Sequence, residues 1–129
     1  MSRYGEKLIQ YIAAGYNISS CKRHGRERIL KLQPPLLKLL STSLKLSEAD
    51  YREAMDALVE HLVTAHASNA RIEIQSSHYG QEWVEVRDTM GRRKNKLALS
   101  SRTILVLKER LMATTPPVEE QIQLEAKAS

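Results

Sequence analysis

The side chains that could do chemistry are few, and their spacing assembles little. Cys21 and His24 stand in a lone C-x-x-H, and the remaining histidines are His61, His66 and His78. A structural zinc site needs four ligands in paired spacing, and no second pair follows. On a helix, the five-residue step from His61 to His66 turns them about 140° apart. Cys21 lies among cations, which favours a thiolate, but a Cys-His nucleophile also needs a third group to orient it. Glu48, Asp50, Glu53, Asp56 and Glu60 mostly fall opposite the Met55, Leu58 and Leu62 stripe of a helix, so they read as a solvated acidic face. With five glycines, no Gly-rich phosphate loop and no G-x-S-x-G elbow, the chain offers no catalytic constellation. The expectation is a protein that is not an enzyme, with no metal and no cofactor.

The cations carry more information. Lys and Arg number 20 against 15 Asp and Glu, for a net charge of +5. They concentrate at Lys22, Arg23, Arg26 and Arg28, and again at Arg92, Arg93, Lys94 and Lys96. Such clusters can line a phosphate backbone, and Tyr79 and Trp83, near the second cluster in sequence, can stack on a base or sugar. These eight cations are the expected nucleic-acid contacts, with DNA preferred over RNA. Between the clusters, residues 48–66 carry five acids against Arg52 alone among Lys and Arg. The alternative reading is therefore a non-catalytic adaptor or inhibitor, one form of which is a subunit of a nucleoprotein complex, whose acidic helix docks on a basic protein.

The elements that must position these groups follow from periodicity. Tyr4, Leu8, Tyr11, Ile12 and Gly15 share one helical face, which predicts a helix over 3–16. Residues 18–28 read as an exposed basic loop around Gly25. Residues 28–32 suit either a short strand or a helical turn that stops before Pro34. Pro34-Pro35 can open a helix carrying Leu36, Leu37, Leu39 and Leu40 that fades at 41–43. Ser47 is an N-cap with Asp50 three residues on, and Tyr51, Met55, Leu58, Val59, Leu62 and Val63 extend a helix over 48–66. The period then becomes two. Residues 71–75 and 82–87 alternate as a hairpin, with Ile72, Ile74, Val84 and Val86 on one face and Trp83 on the other. Gly91 and the cationic run 92–96 suggest a second turn, and 97–99 a third strand. Ser100 or Ser101 caps a last helix, and Pro116-Pro117 ends it.

This order, and the stretch LLKLLSTSLKLSEADYREAMDALVEHLVTAH, resemble winged-helix DNA-binding regulators. The resemblance implies a positioning helix at Leu36–Leu44, a recognition helix at Ser47–His66, a wing at Arg71–Arg87 and a dimerising helix at 101–112. It departs from the family where Glu48, Asp50, Glu53 and Asp56 occupy positions that would face the duplex. The expected fold class is thus α+β and winged-helix-like, with helices packed on a hairpin or small antiparallel sheet and a C-terminal helix.

Composition bounds the remainder. At 129 residues the chain suits one domain, expected over 1–113, with 114–129 as a flexible acidic tail. Five Tyr, one Trp and no Phe require an aliphatic core. No apolar run reaches the roughly 20 residues that span a bilayer. The charged N-terminal stretch does not read as a signal peptide, and the single Cys21 suits a reducing compartment, so a cytoplasmic location is expected.

Overall fold

The computed structural model describes residues 3–36 and 40–113. Among them run α1 (Arg3–Ala13), β1 (Asn17–His24), β2 (Glu27–Gln33), β3 (Thr42–Ser47), α2 (Glu48–Ala67), β4 (Arg71–Ser76), β5 (Glu82–Arg87), β6 (Arg93–Leu97) and α3 (Ser101–Ala113). The fold is α+β, with three helices and a six-stranded mixed sheet in the order β3-β2-β1-β6-β5-β4. β1–β2–β3 and β4–β5–β6 are each antiparallel meanders. They meet where β1 and β6 run parallel, paired at the single position Ile18↔Leu97.

Local chemistry sets the helix ends. Ser47 caps α2 by accepting the Asp50 N–H at 3.2 Å. Ser100 caps α3: its carbonyl accepts from Ile104 N–H, and its hydroxyl lies 3.0 Å from Thr103 Oγ1. α1 closes with Tyr16 N–H on Tyr11 O and Gly15 N–H on Ile12 O. That closure needs a residue in the left-handed region, which Gly15 supplies at φ +93. The Tyr11 and Tyr16 rings meet across it at 4.9 Å.

The core lies between the helices and one face of the sheet. Leu8 and Ile12 of α1, Leu58 and Leu62 of α2 and Ile104 and Leu107 of α3 pack with Ile18, Leu30, Leu32, Leu44, Leu46, Val84 and Leu97 of the strands. Tyr51 is its one buried aromatic, as the composition requires.

Several sequence expectations are corrected here. Residues 18–28 are not a loop: β1 and β2 fill them, and only the tip around Gly25 turns. Residues 28–32 resolve as strand. The expected helix at Leu36–Leu44 is contradicted at its C-terminal end, because Thr42–Ser47 alternates polar with Leu44 and Leu46 and pairs with β2; residues 37–39 lie outside the described residues. The cationic run 92–96 is mainly strand β6. The turn before it is 88–92, held by Asp88 Oδ1, which accepts from Met90 and Arg92 N–H. The hairpin 71–87 is present, but β5 is an inner strand, so the sheet is larger than a hairpin and its wing. The tail 114–129 lies outside the described residues.

Asn95 joins the two meanders. It is 3% exposed, and its Nδ2 donates to Ile12 O at 2.9 Å and Tyr16 O at 2.8 Å, satisfying carbonyls at the end of α1. Asn95→Ala should cost about 1–3 kcal/mol in chemical denaturation, because the Tyr16 carbonyl loses its side-chain donor and Ile12 O is left with the Gly15 N–H alone. Leu58→Ala and Leu62→Ala, each at a fully buried site, should cost about 2–5 kcal/mol apiece. Unchanged midpoints for these variants would contradict the assigned core.

Candidate functional site

The helices cover only one face of the sheet, and strand alternation dictates what the other face shows. With Leu30, Leu32, Leu44 and Leu46 turned inward, register places Lys22, Ile29 and Lys45 in one outward row. Ser20, Lys31 and Ser43 form the next row, and His24, Glu27 and Ser47 a third. Lys22, Lys31 and Lys45 are exposed and make no ion pair among the described residues.

The β4–β5–β6 half of this face is organised differently. Lys96 stands over the Trp83 ring, 4.6 Å from its centroid. Trp83 Nε1 donates to Glu85 Oε2 at 2.9 Å. Arg87 bridges Glu85 at 2.6 Å and Glu73 at 3.0 Å. An aromatic platform within a largely neutralised network thus adjoins a half-face of free lysines.

The structure scatters the expected contact residues. Lys22 and Lys96 lie on the open face. Arg26 is exposed at the β1–β2 tip, and Arg92, Arg93 and Lys94 are exposed around the 88–92 turn and the start of β6. Arg23 and Arg28 point to the helix side instead. Arg28 stacks on the Tyr51 ring at 4.7 Å and bonds Glu48 at 3.2 Å, and Arg23 reaches the same carboxylate at 3.5 Å. Both brace the start of α2. The hydrogen bond from Arg28 holds the Glu48 carboxyl below the usual glutamate range. The two clusters meet only at their near ends, where Lys22 and Lys96 line one cleft, and they diverge from there. From the seam, β1 runs six residues to His24 one way, and the chain runs five back to Arg92 the other way. At 3.3 Å per residue those far ends are about 36 Å apart along the strands, against about 17 Å for Lys22 and Lys96.

Lys31 and Lys45 are isolated in sequence, so clustering does not mark them as contacts. Strand pairing alone brings them beside Lys22. The signal was the alternation Lys31-Leu32 and Leu44-Lys45-Leu46, which marks an outward lysine on a half-buried strand.

Cys21 is half-buried and donates through Sγ to Tyr51 Oη at 3.1 Å. Burial pushes its thiol up, the reverse of nucleophile activation. Burial pushes His61 down. Among the described residues no group of three or more His, Cys, Asp and Glu gathers to hold a metal, and no helix is long and apolar enough to cross a membrane. On α3, Leu105, Val106 and Met112 are exposed.

Compared with family models, curated proteins and solved structures, the chain matches none of them.

The Trp83–Glu85 pair makes a pH-dependent reporter. The Trp83 hydrogen bond, helped by Arg87, holds Glu85 below the ordinary carboxylate range. The folded state therefore favours the charged form. That stabilisation is complete above the unfolded carboxyl's range and is lost as pH falls through the depressed folded value. Trp83 emission should hold steady through the ordinary glutamate range and change only below it, and Glu85→Gln should remove that transition. A change centred at or above the ordinary range would contradict the pairing.

Proposed function

We propose that this protein binds nucleic acid as a single strand laid across the open face of its sheet. The observation that carries the reading is the segregation of charge. Among the described residues, Lys22, Lys31 and Lys45 stand unpaired on the face the helices leave open, with Trp83 across the cleft from Lys22, while the acids of α2 lie in the helical layer on the other side of the sheet.

Strands lie about 4.8 Å apart and outward residues about 6.6 Å apart along them, so the lysines form a two-dimensional array that an extended phosphate backbone can follow. A base can stack on an aromatic at such a surface whatever its identity. A duplex fits less well. Major-groove entry needs a helix or narrow ribbon, and α2 would bring Glu48, Asp50, Glu53 and Asp56 against phosphates. For this reason the reading departs from winged-helix docking through α2. It keeps Lys22, Lys96, Arg26, Arg92, Arg93 and Lys94 as contacts and adds Lys31 and Lys45. It treats Arg23 and Arg28 as supports for α2. A regulator of transcription or replication acting on opened DNA fits this surface. A homodimer through the exposed α3 residues Leu105, Val106 and Met112 would present two such faces, and sedimentation velocity of Leu105→Glu against the parent checks it.

Fluorescence anisotropy with oligothymidylate, oligouridylate and duplex at several salt concentrations tests the proposal. Binding should favour single strands. Replacing Lys22, Lys31 and Lys45 together by Ala should flatten the slope of log K against log salt by about 2, at about 0.7 per contact, while melting barely changes. Trp83→Ala should cost about 1–3 kcal/mol of binding. A parent protein that binds none of the three probes, or a triple variant that binds as well as the parent, refutes the reading. The acidic α2 would then be the first surface to test against basic proteins.

A further inference from the structure

The sheet is continuous at Ile18↔Leu97 but splits beyond it. β6 ends at Leu97, and the chain leaves through Ala98 and Leu99 into α3, whereas β1 continues six residues further, from Ser19 to His24. Ala98 N–H donates to Ile18 O at 2.9 Å, the last backbone bond on that side of β1. From Ser19 onward β1 pairs only with β2, so its other edge has no partner strand among the described residues. Across the gap, Glu82 and Trp83 of β5 are paired with β4 but lie beyond the reach of β6. What remains is a cleft of about 830 Å³ where the next residues of β6 would run. It differs from the outer edges of β3 and β4, which have a strand on one side only, because it is walled on both sides.

The side chains around the cleft define what would fill it. On the open-face side stand Lys22 and Lys96, with Trp83 and the exposed Tyr79. Toward the helices, the half-buried Cys21 and the buried Leu99 form an apolar floor. Among the described residues Glu82 is the one carboxylate lining the cleft, and it is engaged by Lys108 at 2.8 Å. An occupant with main-chain donors and acceptors, small apolar groups pointing in and acidic groups pointing out satisfies all of these at once. A strand supplies both sides by alternation.

We propose that this cleft takes an extended segment of a partner protein, alternating small apolar and acidic residues, as an added strand in line with β6. The segment pairs with the free edge of Ser19–His24. Its acidic side chains meet Lys22 and Lys96, and its apolar ones meet Leu99 and Cys21. This site is distinct in chemistry from the lysine array, because its recognition rests on the peptide backbone.

The probe is an acetylated, amidated hexapeptide alternating valine and glutamate, added to the full chain. Emission from Trp83, the single tryptophan, reports occupancy. Hydrogen exchange reports where the peptide lies. A saturable one-to-one emission change with slowed exchange confined to Ser19–His24 supports the proposal. N-methylation of alternate peptide residues on the β1-facing edge should then weaken binding about tenfold, because main-chain bonds supply the affinity. Lys22→Glu should weaken it about tenfold with an unchanged unfolding midpoint. No saturable change at millimolar peptide overturns the proposal. So does equal binding of the N-methylated peptide, or protection on β3 or β4 instead. Because Lys22, Lys96 and Trp83 border both surfaces, an oligonucleotide competes with the peptide on either account; one that itself slows main-chain exchange across Ser19–His24 overturns the proposal, by assigning the cleft to the nucleic-acid face. Failure of the peptide leaves the oligonucleotide salt slopes untouched, so the two proposals fail separately.

Discussion

The structure depends on a short seam. Two three-stranded meanders become one sheet through one β1–β6 bridge, reinforced by polar contacts. Ala98 N–H meets Ile18 O, and Lys96 N–H donates to Asn17 Oδ1 at 2.7 Å. Asn95 ties β6 to the carbonyls that end α1. A buried amide with both its donors engaged is costly to misplace, so it fixes the register of the seam more tightly than the apolar pair Ile18 and Leu97 could alone. The helices then complete the core from one side, with α2 crossing from β3 to β4 as the link between meanders.

Two features of the surface follow from that seam. Joining the meanders edge to edge, with α1, α2 and α3 on one side, leaves the other face uncovered among the described residues. Because the lysines of β1, β2 and β3 alternate outward with core leucines, that face is basic. The acids of α2 are set on the helix side, where Arg23, Arg28 and Arg52 meet Glu48 and Arg110 meets Glu60. Because the seam is short, β1 outruns β6, and the cleft beside Cys21 and Trp83 opens at that end. A longer β6 would close it.

Where local pattern decided structure, the sequence was legible. α2 carries its own cap and apolar stripe, and the hairpin 71–87 has clean alternation with Gly80 at its turn. The α+β class follows from these two alone. Other elements were hidden because their partners are distant. Residues 18–28 have few apolar residues, and only pairing with β2 makes them strand. Thr42–Ser47 is brief, and the leucines before it carry a helical pattern. Asn95 looks like a turn residue inside a cationic run, since nothing local announces that its amide reaches Ile12 and Tyr16. The candidate face was half legible for the same reason. Clustered cations stand out in sequence, while Lys31 and Lys45 become a surface only when three strands set them beside Lys22.

The central claim is that the bare sheet face, and not α2, receives nucleic acid. A titration of isotope-labelled protein with oligothymidylate, followed by backbone amide NMR, tests it most directly. The account predicts shifts concentrated at Lys22, Ile29, Lys31, Lys45 and the Trp83 indole, with the exposed residues of α2 from Asp50 to Glu60 unmoved. Shifts centred on α2, or none anywhere at saturating oligonucleotide, would contradict it.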